Sequence, residues 1–329
     1  MSNSQRTQTY CFHGLNLKVS SSDAIATCLD ARFQMLPSNG ECAETIFFDF
    51  ESVSNTKGHR FGRPRGRAKP FYQLEGEGGE ASYFEAEDQL YLCYDDRVRV
   101  LCNPGSGTAC FSVLEPEIDN LWLASHLLFT ICLVEILKRR GLYSLHAGGF
   151  SANGKCLLIP GTSGAGKSTL TVASLRTNFE YMSDDMVFLI DRPDGFRVLA
   201  FPEEVDISDQ TAGFFPELSF LLRSPKRCGW RKRQIHPIQV YGAKVAPEAR
   251  PAAIVIPRIA EAESSVVTRM DPDEALLEMV PNVLLTEANS CRAHLDALSE
   301  LVTSTPCYRL ETGRDFDQLS GRFRELLES

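Results

Sequence analysis

Gly161-Thr162-Ser163-Gly164-Ala165-Gly166-Lys167-Ser168 spells the pattern G-x-x-x-x-G-K-[ST] in full. Glycines at 161, 164 and 166 let a backbone curl until successive amides point inward as an anion nest. A helix beginning at Ser168 adds its positive end to that nest. Lys167 would then reach the β- and γ-phosphates of a nucleotide, and Ser168 would hold Mg²⁺. The context agrees. Cys156-Leu-Leu-Ile159 reads as a strand before the loop, and Ser168 to Arg176 reads as a helix after it. From average residue frequencies the pattern arises by chance in about 1% of chains of this length. The nucleotide-binding candidates are therefore Gly161, Thr162, Ser163, Gly164, Ala165, Gly166, Lys167, Ser168 and Thr169.

Upstream, Tyr143 to Phe150 reads as a strand that an Asn153-Gly154 turn joins to the strand at 154–160. Downstream, Ser183-Asp184-Asp185 precedes the apolar run Met186-Val-Phe-Leu-Ile190. An acidic pair is ordinarily a solvated turn. One helix beyond a phosphate loop, it reads as a pair that divides the work, one carboxylate near the metal and one accepting a proton. Further along, helices are expected at 272–280, 290–303 and 314–328, with a strand at Cys307-Tyr-Arg-Leu310.

Residues 1–115 read differently. Ile46-Phe-Phe-Asp-Phe50, Ala81-Ser-Tyr-Phe84, Gln89 to Tyr94 and Val98 to Leu101 are strand-length and rich in β-branched or aromatic residues, with glycine-rich turns between. A β-rich N-terminal domain over 1–115 and a nucleotide domain over 116–329 follow, together an α/β (α+β) chain. The apolar run Leu121 to Leu137 contains His126 and Glu135 and is shorter than the ~20 residues a membrane span needs, so it reads as a buried helix. Pro116, Glu117 and Asp119 mark its start.

The 329 residues carry 34 basic and 43 acidic side chains, a net charge of −9, which removes a global field for nucleic acid or anionic lipid. Hydrophobic residues make up 43%, enough for a sizeable core. Eleven scattered cysteines without a CxxC pair, and a polar start without an apolar signal segment, are read as free thiols in a cytoplasmic protein. Two basic segments stand out against the acidic whole. His59 to Lys69 reads as an exposed loop able to dock an acidic or phosphorylated partner. Lys226-Arg-Cys-Gly-Trp-Arg-Lys-Arg233 sets five cations around one tryptophan; Arg231 or Lys232 is its candidate for contact with phosphate or substrate.

Leu145-His146-Ala147, a hairpin, the loop 161–168, a helix and Ser183-Asp184-Asp185, in that order, resemble the HPr kinase/phosphorylase family. They resemble phosphoenolpyruvate carboxykinase more distantly. The resemblance covers residues 142–210 well and 210–329 loosely. It implies a P-loop core of that type, ATP or another nucleoside triphosphate as donor, and Mg²⁺. It implies Asp184 as the base that deprotonates a serine hydroxyl, Asp185 beside the metal, and His146 near the transferred phosphate. Where the family supplies a second metal carboxylate in Leu-Glu-Ile-Arg-Gly-Leu-Gly, this chain reads Phe201-Pro-Glu-Glu-Val-Asp-Ile-Ser208. Glu204 is the metal candidate there and Glu203 a substrate contact. In that departure the chain resembles the divergent HPr-kinase-like proteins, some of which accompany lasso-peptide clusters and phosphorylate a serine of a small peptide.

The leading expectation is a Mg²⁺-dependent kinase acting on a serine-type hydroxyl of a peptide or small protein. Lys167, Asp184 and His146 are its catalytic candidates. The alternatives are a kinase of a small serine-like molecule, a nucleotide-hydrolysing switch with no acceptor, and a binding module that has lost catalysis. No Asn-Lys-x-Asp base-reading motif of a GTPase occurs. A homo-oligomer with no membrane or nucleic-acid partner is expected.

Overall fold

Two short turns, both needing a left-handed backbone, start the two halves of the fold. His13-Gly14 (φ 46° and 87°) and Asn153-Gly154 (φ 53° and 74°) each close a two-residue hairpin whose twist matches that of its flanking strands. The computed structural model describes residues 5–36, 42–62, 69–73, 80–86, 89–114, 121–224, 232–284 and 288–328. It divides into two units, Met1–Arg140 and Gly141–Ser329.

In the first unit, β1 (Gln5–Phe12) and β2 (Leu15–Ser22) form the hairpin, and α1 (Asp23–Phe33) follows directly. Asp23 sits in its first turn and Arg32 in its last, each sign matched to the helix dipole. The chain then returns as β3 (Glu44–Val53), parallel to β2. After it come β4 (Lys69–Gln73), β5 (Glu80–Ala86), β6 (Gln89–Tyr94), β7 (Val98–Asn103) and β8 (Thr108–Leu114). The eight strands lie in the order β1-β2-β3-β8-β7-β6-β5-β4, with β3 and β8 parallel. The expected strands at 46–50, 81–84, 89–94 and 98–101 fall inside β3, β5, β6 and β7.

The expected apolar helix is present, with one turn of different pitch. Leu123–Leu127 is a π-turn, and α2 (Leu128–Lys138) continues from it. A wider turn disturbs the regular ladder, and such a defect persists only where other donors meet its carbonyls. Arg32, 7% exposed, supplies them. Its guanidinium donates to Ser125 O at 2.7 Å, His126 O at 3.3 Å and Thr130 Oγ1 at 2.6 Å. The residues that would begin this helix, Pro116, Glu117 and Asp119, lie outside the described residues.

Phe129 of α2 packs on Phe48 at 4.6 Å between ring centres, with Phe33 at 5.5 Å, Phe50 at 6.3 Å and Phe111 at 6.4 Å. The helix thus belongs to the β-rich unit. The boundary falls after Arg140, a correction of the expected 115/116 division, because the apolar face of 121–138 is covered by the sheet preceding it.

The second unit begins with β9 (Leu142–Leu145), β10 (Ala147–Ala152) and β11 (Lys155–Pro160). The single strand expected over 143–150 is broken at His146: β9 pairs with a later strand and β10 with β11. Then follow α3 (Lys167–Leu175), β12 (Glu180–Ser183), β13 (Val187–Ile190), β14 (Arg197–Leu199), β15 (Val205–Ile207) and α4 (Asp209–Phe214). The chain continues through β16 (Arg233–Ile235), α5 (Pro237–Tyr241), β17 (Glu248–Ile259), β18 (Val266–Arg269) and α6 (Pro272–Met279). It ends with α7 (Ala288–Ser304), β19 (Cys307–Thr312) and α8 (Phe316–Glu328).

Nine of these strands make one mixed sheet, in which β11 and β17 run parallel side by side. Their alternate residues serve opposite faces. Leu158, Ile254 and Ile256 pack with Met279, Leu298 and Leu301 of α6 and α7. Leu157, Ile159 and Val255 pack with Leu170 of α3 and Phe323 of α8. Helices therefore cover both faces, and the architecture is mixed α/β. Among the described residues no helix is long and apolar enough to cross a membrane. The described cysteines are free thiols.

The Arg32 contact gives a stability prediction. Arg32→Met should cost about 2–4 kcal/mol, because charged hydrogen bonds are lost and buried carbonyls are left unmet. Thermal or urea unfolding checks this; Arg32→Lys, which keeps charge but loses the fork, should fall between the two.

Candidate active site

The loop between β11 and α3 has the shape that its glycines imply. Gly164 and Gly166 adopt φ of 86° and 99°, and Gly166 leads directly into the first turn of α3. Lys167, only 7% exposed, turns back over the loop. Its ammonium donates to Gly161 O at 2.6 Å and Thr162 O at 3.3 Å, and reaches His146 Nε2 at 2.9 Å. Burial lowers its pKa, while the charges of Asp185 and Asp184 pull it back up and Lys232 lowers it further.

His146 occupies the break between β9 and β10, and its backbone N–H is held by Asn282 O at 2.8 Å. Its Nδ1 lies 3.3 Å from Asp185 Oδ1. An ammonium only donates, so Nε2 accepts from Lys167 and the proton belongs on Nδ1, facing Asp185. Lys167, His146 and Asp185 thus form a directed chain. The structure brings these three candidates together, and the strand break that aims the ring has no signal in the sequence pattern.

Asp184 and Asp185 form the turn between β12 and β13. Ser183, fully buried, pins it by accepting from the amides of Asp185 at 3.2 Å and Met186 at 3.0 Å. The turn approaches β10 closely at Gly148, where an added Cβ would meet Thr171 Oγ1 at 3.3 Å and Asp184 O at 3.6 Å. The two acids then diverge. Asp184 is 5% exposed and accepts from Ser168 Oγ at 2.8 Å. Its Oδ1 is buried without a hydrogen-bond partner. Burial raises the Asp184 carboxyl, as does Asp185, against the hydrogen bonds that lower it. Asp185 has a side chain 68% accessible, at the mouth of the site. Desolvation by the surrounding protein raises it, but His146, Lys167 and Lys232 together hold it well below the usual carboxylate range.

A cleft of about 450 Å³ opens over this group, a volume suited to a cofactor-sized ligand. Its walls include His146, Lys167, Ser168, Thr169, Asp185 and, from β15, Asp206. Lys232 lines it as well, whereas Arg231 and the rest of 225–231 lie outside the described residues. Arg233 pairs with Asp209 at the first turn of α4. Glu203 and Glu204 are not among the lining residues, although Glu203 O accepts from Tyr181 at 2.8 Å. The carboxylate that enters the cleft from this segment is Asp206.

Sequence reasoning missed Asp206. It sits in Val205-Asp206-Ile207, whose two neighbours are buried, opposite Gln234 of β16. The alternation was the available signal, since it turns an acid away from the core on a strand that ends at a helix cap. Ser208 is that cap, accepting from Thr211 N at 3.0 Å, and Thr211 meets Thr169 at 3.0 Å between hydroxyls. Asp206 Oδ1 is also buried and unpartnered. Its carboxyl is pushed up to about 7, first by burial and then by Asp184 and Asp185, against Lys232.

Of the other basic segment, His59 bonds Ser112 Oγ at 2.9 Å and Arg60 pairs with Asp49 at 2.7 Å, while residues 63–68 lie outside the described residues.

The donor set bears on a metal. Among the described residues no cluster of three His, Cys, Asp or Glu side chains could hold one alone. A hydroxyl and a carboxylate with one free buried oxygen, Ser168 and Asp184, fit Mg²⁺, which takes few protein ligands and completes its shell with phosphates and water.

No family model and no curated protein matches this sequence. Among solved structures, the Hpr(Ser) kinase/phosphatase from Coxiella burnetii is similar over 56% of this chain and 96% of that one, at 11% identity and a TM-score of 0.31. A likeness that slight carries no argument about the fold or the chemistry.

Asp206 generates a pH prediction. Its folded pKa lies above that of an unfolded aspartate, so the folded state holds the extra proton between about pH 4 and 7. Stability should therefore fall as pH rises through that window and stay lower above it. Asp206→Asn should raise the melting temperature at pH 8 and change it little at pH 4; equal shifts at both would contradict the assignment.

Proposed function

We propose that the second unit is a Mg²⁺-dependent phosphotransferase that moves a phosphoryl group from a nucleoside triphosphate to a serine-type hydroxyl of a peptide or small protein. The observation that carries this reading is the pairing of two separate relays at one cleft: Lys167–His146–Asp185 and Ser168–Asp184. A binding module needs the first lysine and the loop amides. It has no need of a histidine oriented by a carboxylate.

In this reading the loop amides and Lys167 hold the phosphates, and Lys167 exchanges Gly161 O and His146 for phosphate oxygens. Ser168 and Asp184 hold the metal, which when bound neutralises phosphate charge. Once Lys167 turns away, His146 Nε2 is left as an acceptor with Asp185 fixing the ring from the other side. That pair takes the acceptor's proton. Asp184 was expected to be the base, and its raised pKa suits a base, but its burial and bond to Ser168 favour the metal. Asp185 is accordingly moved from the metal to the proton. Lys232 supplies a second cation on the cleft wall, able to meet charge developing on the transferred group. Transfer of this kind is mostly positioning and electrostatics, so this set suffices.

The test is an intact-mass screen with ATP and Mg²⁺ against serine-containing peptides and free serine, beside an acceptor-free hydrolysis control. A phosphate-sized gain on an acceptor is expected. Asp185→Asn and His146→Ala should each lower kcat by about 10²-fold or more with nucleotide affinity kept. Asp184→Asn should instead raise the Mg²⁺ concentration needed. Steady hydrolysis with no acceptor modified would favour the switch reading over this one.

A further inference from the structure

The cleft also has an apolar lining that the phosphate chemistry does not use. Lys167, Asp185, Asp206 and Lys232 supply its charged lining. In the same lining Phe214, from the end of α4, meets Phe316, from the start of α8, at 5.1 Å between ring centres. Both rings line the cleft, and so does Ile259, which is 66% exposed. Ile259 Cγ1 would lie 3.8 Å from a Cβ added at Gly166, so this apolar wall begins where the glycine loop ends.

The wall is built rigidly. Residues 312–316 cross from β19 into α8 so close to Ser264 that a Cβ on Gly313 would fall 2.6 Å from its carbonyl carbon. Gly313 N–H donates to Ser265 Oγ at 3.0 Å, and that hydroxyl donates to Asp315. Asp315, whose side chain is 5% exposed, also accepts from Ser265 N at 2.8 Å and Arg322 at 3.3 Å. A polar lock thus fixes the loop that carries Phe316. Beside it, Thr312 Oγ1 is buried with no hydrogen-bond partner, on a residue that is 7% exposed and lines the cleft. An unmet hydroxyl of that kind costs free energy unless a ligand completes it.

Resting on the phosphotransferase reading above, we infer that Phe316, Phe214 and Ile259 form the seat of the donor's nucleobase, with Thr312 reading the edge of the base. Lys167 addresses the β- and γ-phosphates, so the nucleoside lies further along the same cleft, where Ile259 beside Gly166 begins the apolar lining. Thr169, two residues after Lys167 in the helix, meets Thr211 in the same helix as Phe214. The route from phosphate to base is therefore short and continuous. The two phenyl rings are too close to admit a base between them, so the base lies on the wall they make together, against the ring of Phe316. Stacking on a ring is indifferent to which base is present, and discrimination falls to the Thr312 hydroxyl.

The test compares binding of ATP with binding of inorganic tripolyphosphate, both with Mg²⁺, by calorimetry on the full chain. Wild type should bind ATP more tightly. Phe316→Ala should weaken ATP roughly tenfold or more, the size of one stacked base, and leave tripolyphosphate unchanged. Phe316→Leu keeps apolar packing against Phe214 and Phe215 without the ring, and should lose ATP affinity with a near-normal melting temperature. Thr312→Val should narrow the spread of affinities among ATP, GTP, CTP and UTP. The inference is overturned if either Phe316 variant weakens both ligands equally, if neither changes ATP affinity, or if wild type binds tripolyphosphate as tightly as ATP. A wild-type protein that binds neither ligand would sink the phosphotransferase reading, and this inference with it.

Discussion

A lysine ammonium that is 7% exposed has to find acceptors within the protein, and the arrangement of the second unit follows from where it finds them. Two are carbonyls of its own loop and the third is His146. To put an imidazole there, the strand expected over 143–150 has to stop and restart in a different partnership, which is the break between β9 and β10. Gly148 then lets the acidic turn close on β10, which brings Asp185 to the other side of the imidazole and Asp184 to Ser168. The chain of contacts from Lys167 to Asp185 fixes the tautomer of the histidine and the distance between the two acids' tasks.

Three of the buried side-chain atoms without partners belong to residues at or beside this site. Asp184 Oδ1, Asp206 Oδ1 and Thr312 Oγ1 are buried without hydrogen-bond partners. In a folded protein such groups are few, because each costs about 1–3 kcal/mol. Asp206 and Thr312 line the cleft, so a ligand bound there can relieve part of that cost. Stability given up at a site is commonly the counterpart of function there.

What was legible in the sequence is what local chemistry decides. The loop 161–168, the Asn153-Gly154 turn, the flanking strand and helix, and the acidic pair all declare themselves within a few residues, because glycine, asparagine and the lysine–serine pair act on their own backbone. The helices near 272–280, 290–303 and 314–328 were legible for the same reason, from apolar periodicity. Three features were not. The break at His146 depends on β13 capturing β9, a partner some forty residues on. The surroundings of Asp206 depend on β16, which pairs with its strand, and on the charge of Lys232, both brought in by a chain segment that shows no strand pattern. The allegiance of 121–138 to the β-rich unit depends on Phe129 meeting Phe48, Phe50 and Phe111. Glu203 and Glu204 were candidates because they stand where the resembled family supplies a second metal carboxylate, whereas the acid of this segment that lines the cleft, Asp206, is set by the alternation of its strand.

The most direct test of the central claim is a crystal structure with Mg²⁺ and a non-hydrolysable nucleoside triphosphate analogue. The account predicts Lys167 Nζ on phosphate oxygens, released from Gly161 O and His146, with the metal beside Ser168 and Asp184 and the imidazole still held by Asp185. A triphosphate bound elsewhere, or an empty loop with Lys167 unmoved at saturating ligand, would contradict it.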